Sequence, residues 1–138
     1  STSEWSENTL LDHARILIAE DEPLIAFDIA HAVEDAGGEV AGPVGSVLEG
    51  MALLERMPVE AAILDVNLSD RDITPIADYL LARDIPIIFH TGLGLPPGLM
   101  ARIPQQLVCR KPVDPRRLVR ATERKIGSAC LAEKYSTE

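Results

Sequence analysis

Short apolar runs that end on polar residues recur along this chain, and segments with helical spacing separate them. A run in which polar and apolar positions do not alternate is typical of a strand covered on both faces, as in a parallel sheet. The third run, Ala61-Ala62-Ile63-Leu64, ends on the carboxylate of Asp65. Five such runs are predicted as strands, at residues 15–19, 40–43, 61–65, 85–89 and 107–109.

Helix signals lie between these runs. Pro23 suits the first turn of a helix, and Gly37 follows the last apolar position of that segment. Ser46 with Glu49 forms a capping-box pattern. The predicted helices cover 23–36, 47–57, 75–83, 98–103 and 115–126, with caps at Ser46, Thr74 and Asp114 and a final stop at Gly127. Alternating strands and helices predict an α/β fold whose parallel sheet is covered on both sides.

Polar groups of complementary chemistry follow four of the predicted strands. They are Glu20 and Asp21 after the first, Asp65 after the third, Thr91 after the fourth and Lys111 after the fifth. The carboxyl ends of parallel strands share one edge, where open sheets bind ligands. Clustered carboxylates repel one another unless a cation lies among them, and hard oxygen donors suit Mg²⁺. A carboxylate can also act as a nucleophile and form an acyl phosphate.

Each of these residues has a local explanation when taken alone. Glu20 or Asp21 could cap a helix, Thr91 could form a turn, and Lys111 could be a solvated charge. Their joint occurrence at the ends of four strands favours a functional site, in which a cation and an ammonium neutralise phosphoryl oxygens and a hydroxyl donates to one of them.

Composition narrows the function classes. The 138 residues suffice for one domain, predicted at 14–127 between a polar leader (1–13) and a polar tail (128–138). The net charge of −9 argues against direct binding to DNA or to anionic membranes. Cys109 is predicted to lie in the core and Cys130 in the tail, without a disulfide framework. With no membrane-spanning run and no signal region, a reduced cytoplasmic location is expected.

Four motifs carry a family resemblance: Ala19-Glu20-Asp21-Glu22-Pro23, Leu64-Asp65-Val66-Asn67-Leu68, His90-Thr91-Gly92 and Lys111-Pro112. In this order and spacing, the chain from about residue 15 to 126 resembles a receiver domain of two-component response regulators. The resemblance implies a flavodoxin-like, doubly wound sheet of five parallel strands in the order 2-1-3-4-5. It also implies a signalling switch, whose only catalysis is its own phosphorylation and dephosphorylation.

The resemblance assigns a role to each motif residue. Asp65 would accept a phosphoryl group from a histidine kinase or a histidine phosphotransfer protein, with Lys111 paired to that group and Thr91 following it inward. The implied Mg²⁺ ligands are Asp21, Asp65 and the backbone carbonyl of Asn67, with Glu20 acting directly or through water. Output would pass to a downstream protein target, and homodimerisation is left open.

The chain departs from the family pattern in three places, one of which is a somewhat shorter segment between Asp65 and Thr91. The loop after the phosphoacceptor reads Ser69-Asp70-Arg71-Asp72 instead of carrying Pro and Gly, and Val108 stands where many receivers have an aromatic switch residue. The run Phe89-His90-Thr91-Gly92 resembles a Phe-x-Thr-Gly subgroup with an atypical fourth helix. In that subgroup the signal would pass through residues 91–104.

Residues to which the motifs assign no role are given structural or surface interpretations. His31 and His90 are interpreted as structural, and the leader residues Trp5 and Leu10 either belong to a flexible tail or dock on a protein surface. Basic residues make the last helix either a solvated face or a partner surface; they are Arg116, Arg117, Arg120, Arg124 and Lys125.

Two other function classes are left open. A degenerate receiver would only bind partners, although the acids, Asp65, Thr91 and Lys111 are all retained. A small phosphohydrolase with an aspartyl nucleophile would need a second acid two residues after Asp65, where this chain has Asn67.

Overall fold

The computed structural model describes residues 11–104 and 107–136, with side chains described as far as residue 127. Its five parallel strands form one sheet in the order β2-β1-β3-β4-β5, which confirms the predicted topology. The strands are β1 (Arg15–Ala19), β2 (Glu39–Val44), β3 (Ala61–Asp65), β4 (Ile87–Thr91) and β5 (Val108–Arg110). The helices are α1 (Pro23–Asp35), α2 (Val47–Arg56), α3 (Thr74–Ala82), α4 (Pro97–Met100) and α5 (Pro115–Ser136).

The sheet separates two apolar clusters, because successive side chains of a strand point to opposite faces. Leu64 and Phe89 pack with residues of α2, α3 and α4 on one face. Ile63 and Ile88 pack with residues of α1 and α5 on the other. Every residue of β3 and β4 is buried. β4 spans Ile87–Thr91 rather than the predicted 85–89, so polar His90 and Thr91 belong to the strand. The middle of the sheet is therefore a rigid base for the residues that follow its strands.

Local side chains accept hydrogen bonds from backbone N–H groups at the starts of α2, α3 and α5. Ser46 Oγ accepts a hydrogen bond from Glu49 N at 3.1 Å, which confirms the predicted cap of α2. Asp114 Oδ1 accepts from Arg116 N at 2.9 Å, which confirms the cap of α5. The predicted cap at Thr74 is wrong: Thr74 is the first residue of α3, and its N–H donates to Asp72 Oδ1 at 2.9 Å.

The last helix does not end at Gly127, as the sequence pattern suggested, but continues to Ser136. A single glycine in a helix costs about 1 kcal/mol relative to alanine. The residues after it include alanine, leucine, glutamate and lysine and no proline, so the helix continues through it. The stretch from 128 to 136, expected as a polar tail, is therefore part of α5. The domain division itself stays a prediction.

The packed chain begins before the predicted domain boundary at residue 14. Leu11 is buried against the turn that follows α1, and its N–H donates to Ala36 O at 2.9 Å. His13 N donates to Gly37 O, also at 2.9 Å. Trp5 and Leu10, whose docking was left open, lie outside the described residues. Within the ranges that the structure describes, no helix has the length and apolar character needed to cross a membrane.

The segment between β4 and β5 is largely irregular. Its helix α4 spans only Pro97–Met100, in place of the predicted 98–103. Leu95, Leu99 and Ile103 anchor the segment in the first apolar cluster, whereas Leu93 is 89% exposed. The segment thus combines a buried stripe with an exposed apolar tip.

Candidate functional site

The sheet register brings the predicted acidic residues together. Ala19 pairs with Leu64 across β1 and β3, so that Glu20 and Asp21 emerge beside Asp65. Carboxylate oxygens of Glu20, Asp21 and Asp65 lie within 4.8 Å of one another. Three negative charges at this separation repel strongly unless a cation lies among them. The arrangement therefore supplies oxygen donors for a divalent cation.

Lys111 supplies the positive charge of the site. Its Nζ lies 3.2 Å from Glu20 Oε1 and 3.2 Å from Asp65 Oδ2. Its backbone N–H donates to Thr91 O at 2.8 Å, which fixes the chain just after β5. Partial burial works against the charged form, but the hydrogen bonds and charges of Asp65 and Glu20 outweigh it and raise the pKa of Lys111. The ammonium thus stays protonated while it bridges two strand ends.

Glu20 is an acid whose charge is only partly compensated. Its side chain is fully buried, and burial raises its pKa to about 7. The N–H of Glu22, which donates to Oε2 at 3.1 Å, lowers the pKa of Glu20. The negative charge of Asp65 raises this pKa, and the positive charge of Lys111 lowers it. An additional positive charge or hydrogen-bond donor near this carboxylate would therefore stabilise its ionised form.

His90 belongs to the site, although sequence reasoning set it aside as structural. It pairs with Asp65 across β3 and β4, and its Nε2 lies 3.5 Å from Glu20 Oε1. Burial lowers the pKa of this imidazole to about 4, so the ring is neutral at pH 7. The available signal was a histidine directly after a predicted apolar strand and next to Thr91, since a polar group buried there needs a polar partner.

Thr91 is the last residue of β4, and Asn67 follows Asp65 by two residues. The Thr91 hydroxyl is buried and accepts hydrogen bonds from Leu93 N at 3.2 Å and Gly94 N at 3.1 Å. It donates to Gly94 O at 3.2 Å, so it is tied to the loop after β4. Asn67 is exposed and forms an antiparallel bridge with Asp72. The loop after Asp65 therefore folds back on itself next to the site.

The unusual loop sequence Ser69-Asp70 anchors that loop to α2. Asp70 accepts hydrogen bonds from Val47 N at 2.8 Å and Leu48 N at 3.0 Å, and Ser69 Oγ donates to Gly45 O at 2.9 Å. These N–H groups would otherwise be free at the start of the helix. The hydrogen bond from Val47 N lowers the pKa of Asp70. Burial raises this pKa slightly, and the hydrogen bond from Leu48 N lowers it further.

Replacing Asp70 by alanine is therefore expected to lower the melting temperature of the protein at pH 7 by a few degrees, as loss of a helix cap does. Because the pKa of Asp70 is lowered in the folded state, its contribution is complete above the unfolded pKa and is lost as pH falls through the folded value. Thermal unfolding at pH 7 and pH 3 measures this, with Glu55→Ala on α2 as the control. A deficit that persists unchanged at pH 3 would contradict the charge-assisted cap.

Comparisons with known proteins agree with this geometry. No protein-family model matches the chain. The transcriptional regulatory protein PdtaR of Mycobacterium tuberculosis is 36% identical over 81 residues, which cover 58% of this chain and 40% of PdtaR. SdrG from Sphingomonas melonis Fr1 is 34% identical, with a TM-score of 0.63 over 82% of this chain and 95% of SdrG. The response regulator PhyR from Brucella abortus is 29% identical, with a TM-score of 0.73 over 91% of this chain and 53% of PhyR.

The chain belongs to the response regulator receiver family. The predicted family and the flavodoxin-like sheet order are thus both confirmed. This receiver spans less than half the length of PdtaR. Receivers are signalling modules rather than conventional enzymes and bind Mg²⁺ at an acidic pocket, and this receiver has an acidic cluster of Glu20, Asp21 and Asp65. Its assignment to the Phe-x-Thr-Gly subgroup stays a prediction.

Proposed function

We propose that this receiver is a phosphoacceptor, in which Asp65 takes a phosphoryl group from the phosphohistidine of a histidine kinase or a histidine phosphotransfer protein. The observation that carries the proposal is the Lys111 ammonium, held 3.2 Å from the carboxylates of both Asp65 and Glu20. The Asp65 side chain is 10% exposed, so an incoming group can reach it. An ammonium at this place is already positioned to pair with phosphoryl oxygens.

The transfer is a displacement at phosphorus. A carboxylate oxygen of Asp65 bonds to phosphorus while the P–N bond of the donor breaks, and the imidazole leaves with the bonding electron pair and takes a proton from solvent. Lys111 exchanges part of its pairing with Asp65 for the phosphoryl oxygens. Attack by water on the acyl phosphate later releases inorganic phosphate and restores the carboxylate.

Mg²⁺ is the cation that fits the donor set. Glu20, Asp21 and Asp65 offer carboxylate oxygens within 4.8 Å of one another, and the backbone carbonyl of Asn67 is the proposed fourth ligand. Hard oxygen donors with room for water suit Mg²⁺ better than softer metals. When bound, it neutralises charge on the phosphoryl oxygens. The proposed location is the cytoplasm, where the kinase and a downstream protein target would meet the receiver.

The output is proposed to pass through Thr91. Its hydroxyl makes three hydrogen bonds with Leu93 and Gly94, and it cannot donate to a phosphoryl oxygen while it donates to Gly94 O. A hydroxyl that turns to the phosphoryl group therefore releases the start of the loop that carries exposed Leu93. This couples the chemistry at Asp65 to the surface of residues 91–104.

Addition of beryllium fluoride with Mg²⁺, as a phosphoryl mimic, is accordingly expected to change amide hydrogen exchange in residues 91–104. The Leu93 and Gly94 amides should exchange about tenfold faster, because each loses its hydrogen bond to Thr91. In Thr91→Ala these amides should exchange fast without the mimic. Hydrogen exchange with mass-spectrometric detection measures both, and identical exchange in wild type with and without the mimic would refute this route.

Intact-mass spectrometry tests the phosphoacceptor assignment itself. Wild type, Asp65→Ala and the control Asp35→Ala, which removes an exposed acid at the end of α1, are incubated with Mg²⁺ and acetyl phosphate. A phosphoryl-sized increase is expected in wild type and Asp35→Ala, and none in Asp65→Ala or with EDTA. If acetyl phosphate and phosphorylated histidine kinases both leave wild type unmodified, the protein is a binding module. An increase that survives in Asp65→Ala would place the acceptor elsewhere.

A further inference from the structure

We propose that His90 is a positioning residue for the cation site, and that its imidazole donates the Nε2 proton to Glu20 Oε1. This inference rests on the proposed function, because it assumes that the acidic cluster binds Mg²⁺. None of the four family motifs gives His90 a role, and the contact arises because β1 and β4 flank β3, so that Glu20 and His90 approach each other at the carboxyl end of the sheet.

The geometry shows an unsatisfied pair. His90 Nε2 and Glu20 Oε1 lie 3.5 Å apart, and both side chains are almost completely buried. Neither atom makes a hydrogen bond of good geometry within the described part of the chain. Buried polar atoms rarely stay unpaired, and a small rotation of the ring shortens this separation to the usual 2.9–3.0 Å or so. Glu20 Oε1, which also faces Lys111 Nζ at 3.2 Å, is therefore the polar partner within reach of His90 Nε2.

The direction of the hydrogen bond follows from the surroundings. Lys111 Nζ lies 3.2 Å from the same Oε1 atom, and because an ammonium has donors only, this oxygen faces Lys111 as an acceptor. Burial away from water favours the uncharged imidazole, which carries one N–H donor. The tautomer with the proton on Nε2 places that donor against the acceptor, whereas the other tautomer would set two lone pairs against each other.

The contact restrains a flexible side chain. Glu20 has one rotatable bond more than an aspartate, and without His90 its Oε1 atom would be held by Lys111 alone. With His90 and Lys111 at Oε1 and the N–H of Glu22 at Oε2, three donors fix the carboxylate plane. Removal of a residue that hydrogen-bonds to a metal ligand typically lowers the metal affinity by about 10- to 100-fold. His90 therefore sets how Glu20 is presented to the cation.

The surroundings of His90 also offer a matched control. Its ring borders a cavity of about 330 Å³ between α1 and α5, and Ile29 lines the same cavity from α1. Ile29→Ala enlarges this space while the contact between His90 and Glu20 stays in place. It separates loss of packing around the ring from loss of the donor.

Titration calorimetry with Mg²⁺ alone tests the proposal on wild type, His90→Leu, His90→Gln and Ile29→Ala. The dissociation constant is expected to rise about tenfold in His90→Leu. It should return to within about threefold of wild type in His90→Gln, because the glutamine amide places a donor near the position of Nε2. Ile29→Ala should bind Mg²⁺ like wild type while it melts at a lower temperature.

The outcomes distinguish a failure of the proposed Mg²⁺ site from a failure of the positioning role of His90. If wild type binds no Mg²⁺, the proposed cation site fails and this role of His90 fails with it. If wild type binds Mg²⁺ and His90→Leu binds equally well, or Ile29→Ala loses as much affinity, only the positioning role is overturned. Should His90→Leu not fold, long-range ¹H–¹⁵N spectra of wild type decide: a protonated Nε2 supports the hydrogen bond, and a protonated Nδ1 with bare Nε2 refutes it.

Discussion

Lys111→Met is expected to lower the free energy of unfolding by about 2–3 kcal/mol at pH 8, because it leaves buried carboxylates without their cation. The value lies below the range for a fully buried pair because the Lys111 side chain is 24% exposed. Both Glu20 and Asp65 lose a partner at 3.2 Å. Urea unfolding with and without Mg²⁺ measures the deficit, and Mg²⁺ should restore part of it by binding the folded state.

The pH dependence of this deficit identifies its electrostatic origin. The pKa of Glu20 is raised to about 7, so the folded protein holds a proton that the unfolded chain has already released. Stability therefore falls as pH rises from the unfolded pKa towards 7. Loss of Lys111 raises the pKa of Glu20 further, so the deficit should be smaller near pH 5, where Glu20 is protonated and the lost pairing with Asp65 remains, and largest at pH 8. Lys125→Met, which removes the same charge beside the start of β4, is the control. Equal deficits at both pH values would contradict this account.

Phe89→Ala is expected to cost about 3–5 kcal/mol, because it leaves a cavity in the middle of the sheet. Phe89 is completely buried, pairs with Leu64 and Val108 in the neighbouring strands, and belongs to the cluster on the α2–α3–α4 face. A loss of this size is a large fraction of the stability of a domain.

Leu93→Ala provides the matched comparison for Phe89. It also truncates a large apolar side chain next to the site, but Leu93 is 89% exposed, so the change should stay within about 0.5 kcal/mol. Chemical denaturation of both variants measures the contrast. Similar losses in the two proteins would mean that Phe89 is not the packing centre of this face.

The parts of the fold that the sequence predicted correctly are those with local causes. Unbroken apolar runs form buried strands, and the pattern of Ser46 with Glu49 capped α2 as expected. The predicted helix end at Gly127 was wrong because a glycine ends a helix only when the residues after it cannot continue the helix. The residues that follow Gly127 are good helix formers, and their summed helix propensity exceeds the cost of one glycine within the helix.

By itself the sequence determined the order of elements and the chemistry at the strand ends, since both depend on short-range periodicity and on residue type. Only the tertiary structure decided which groups meet. Asp70 caps a helix that begins 23 residues earlier in the chain, at Val47. His90 reaches Glu20 because β4 lies beside β3, next to β1, in the sheet. Such contacts depend on packing between distant segments, which local patterns do not encode.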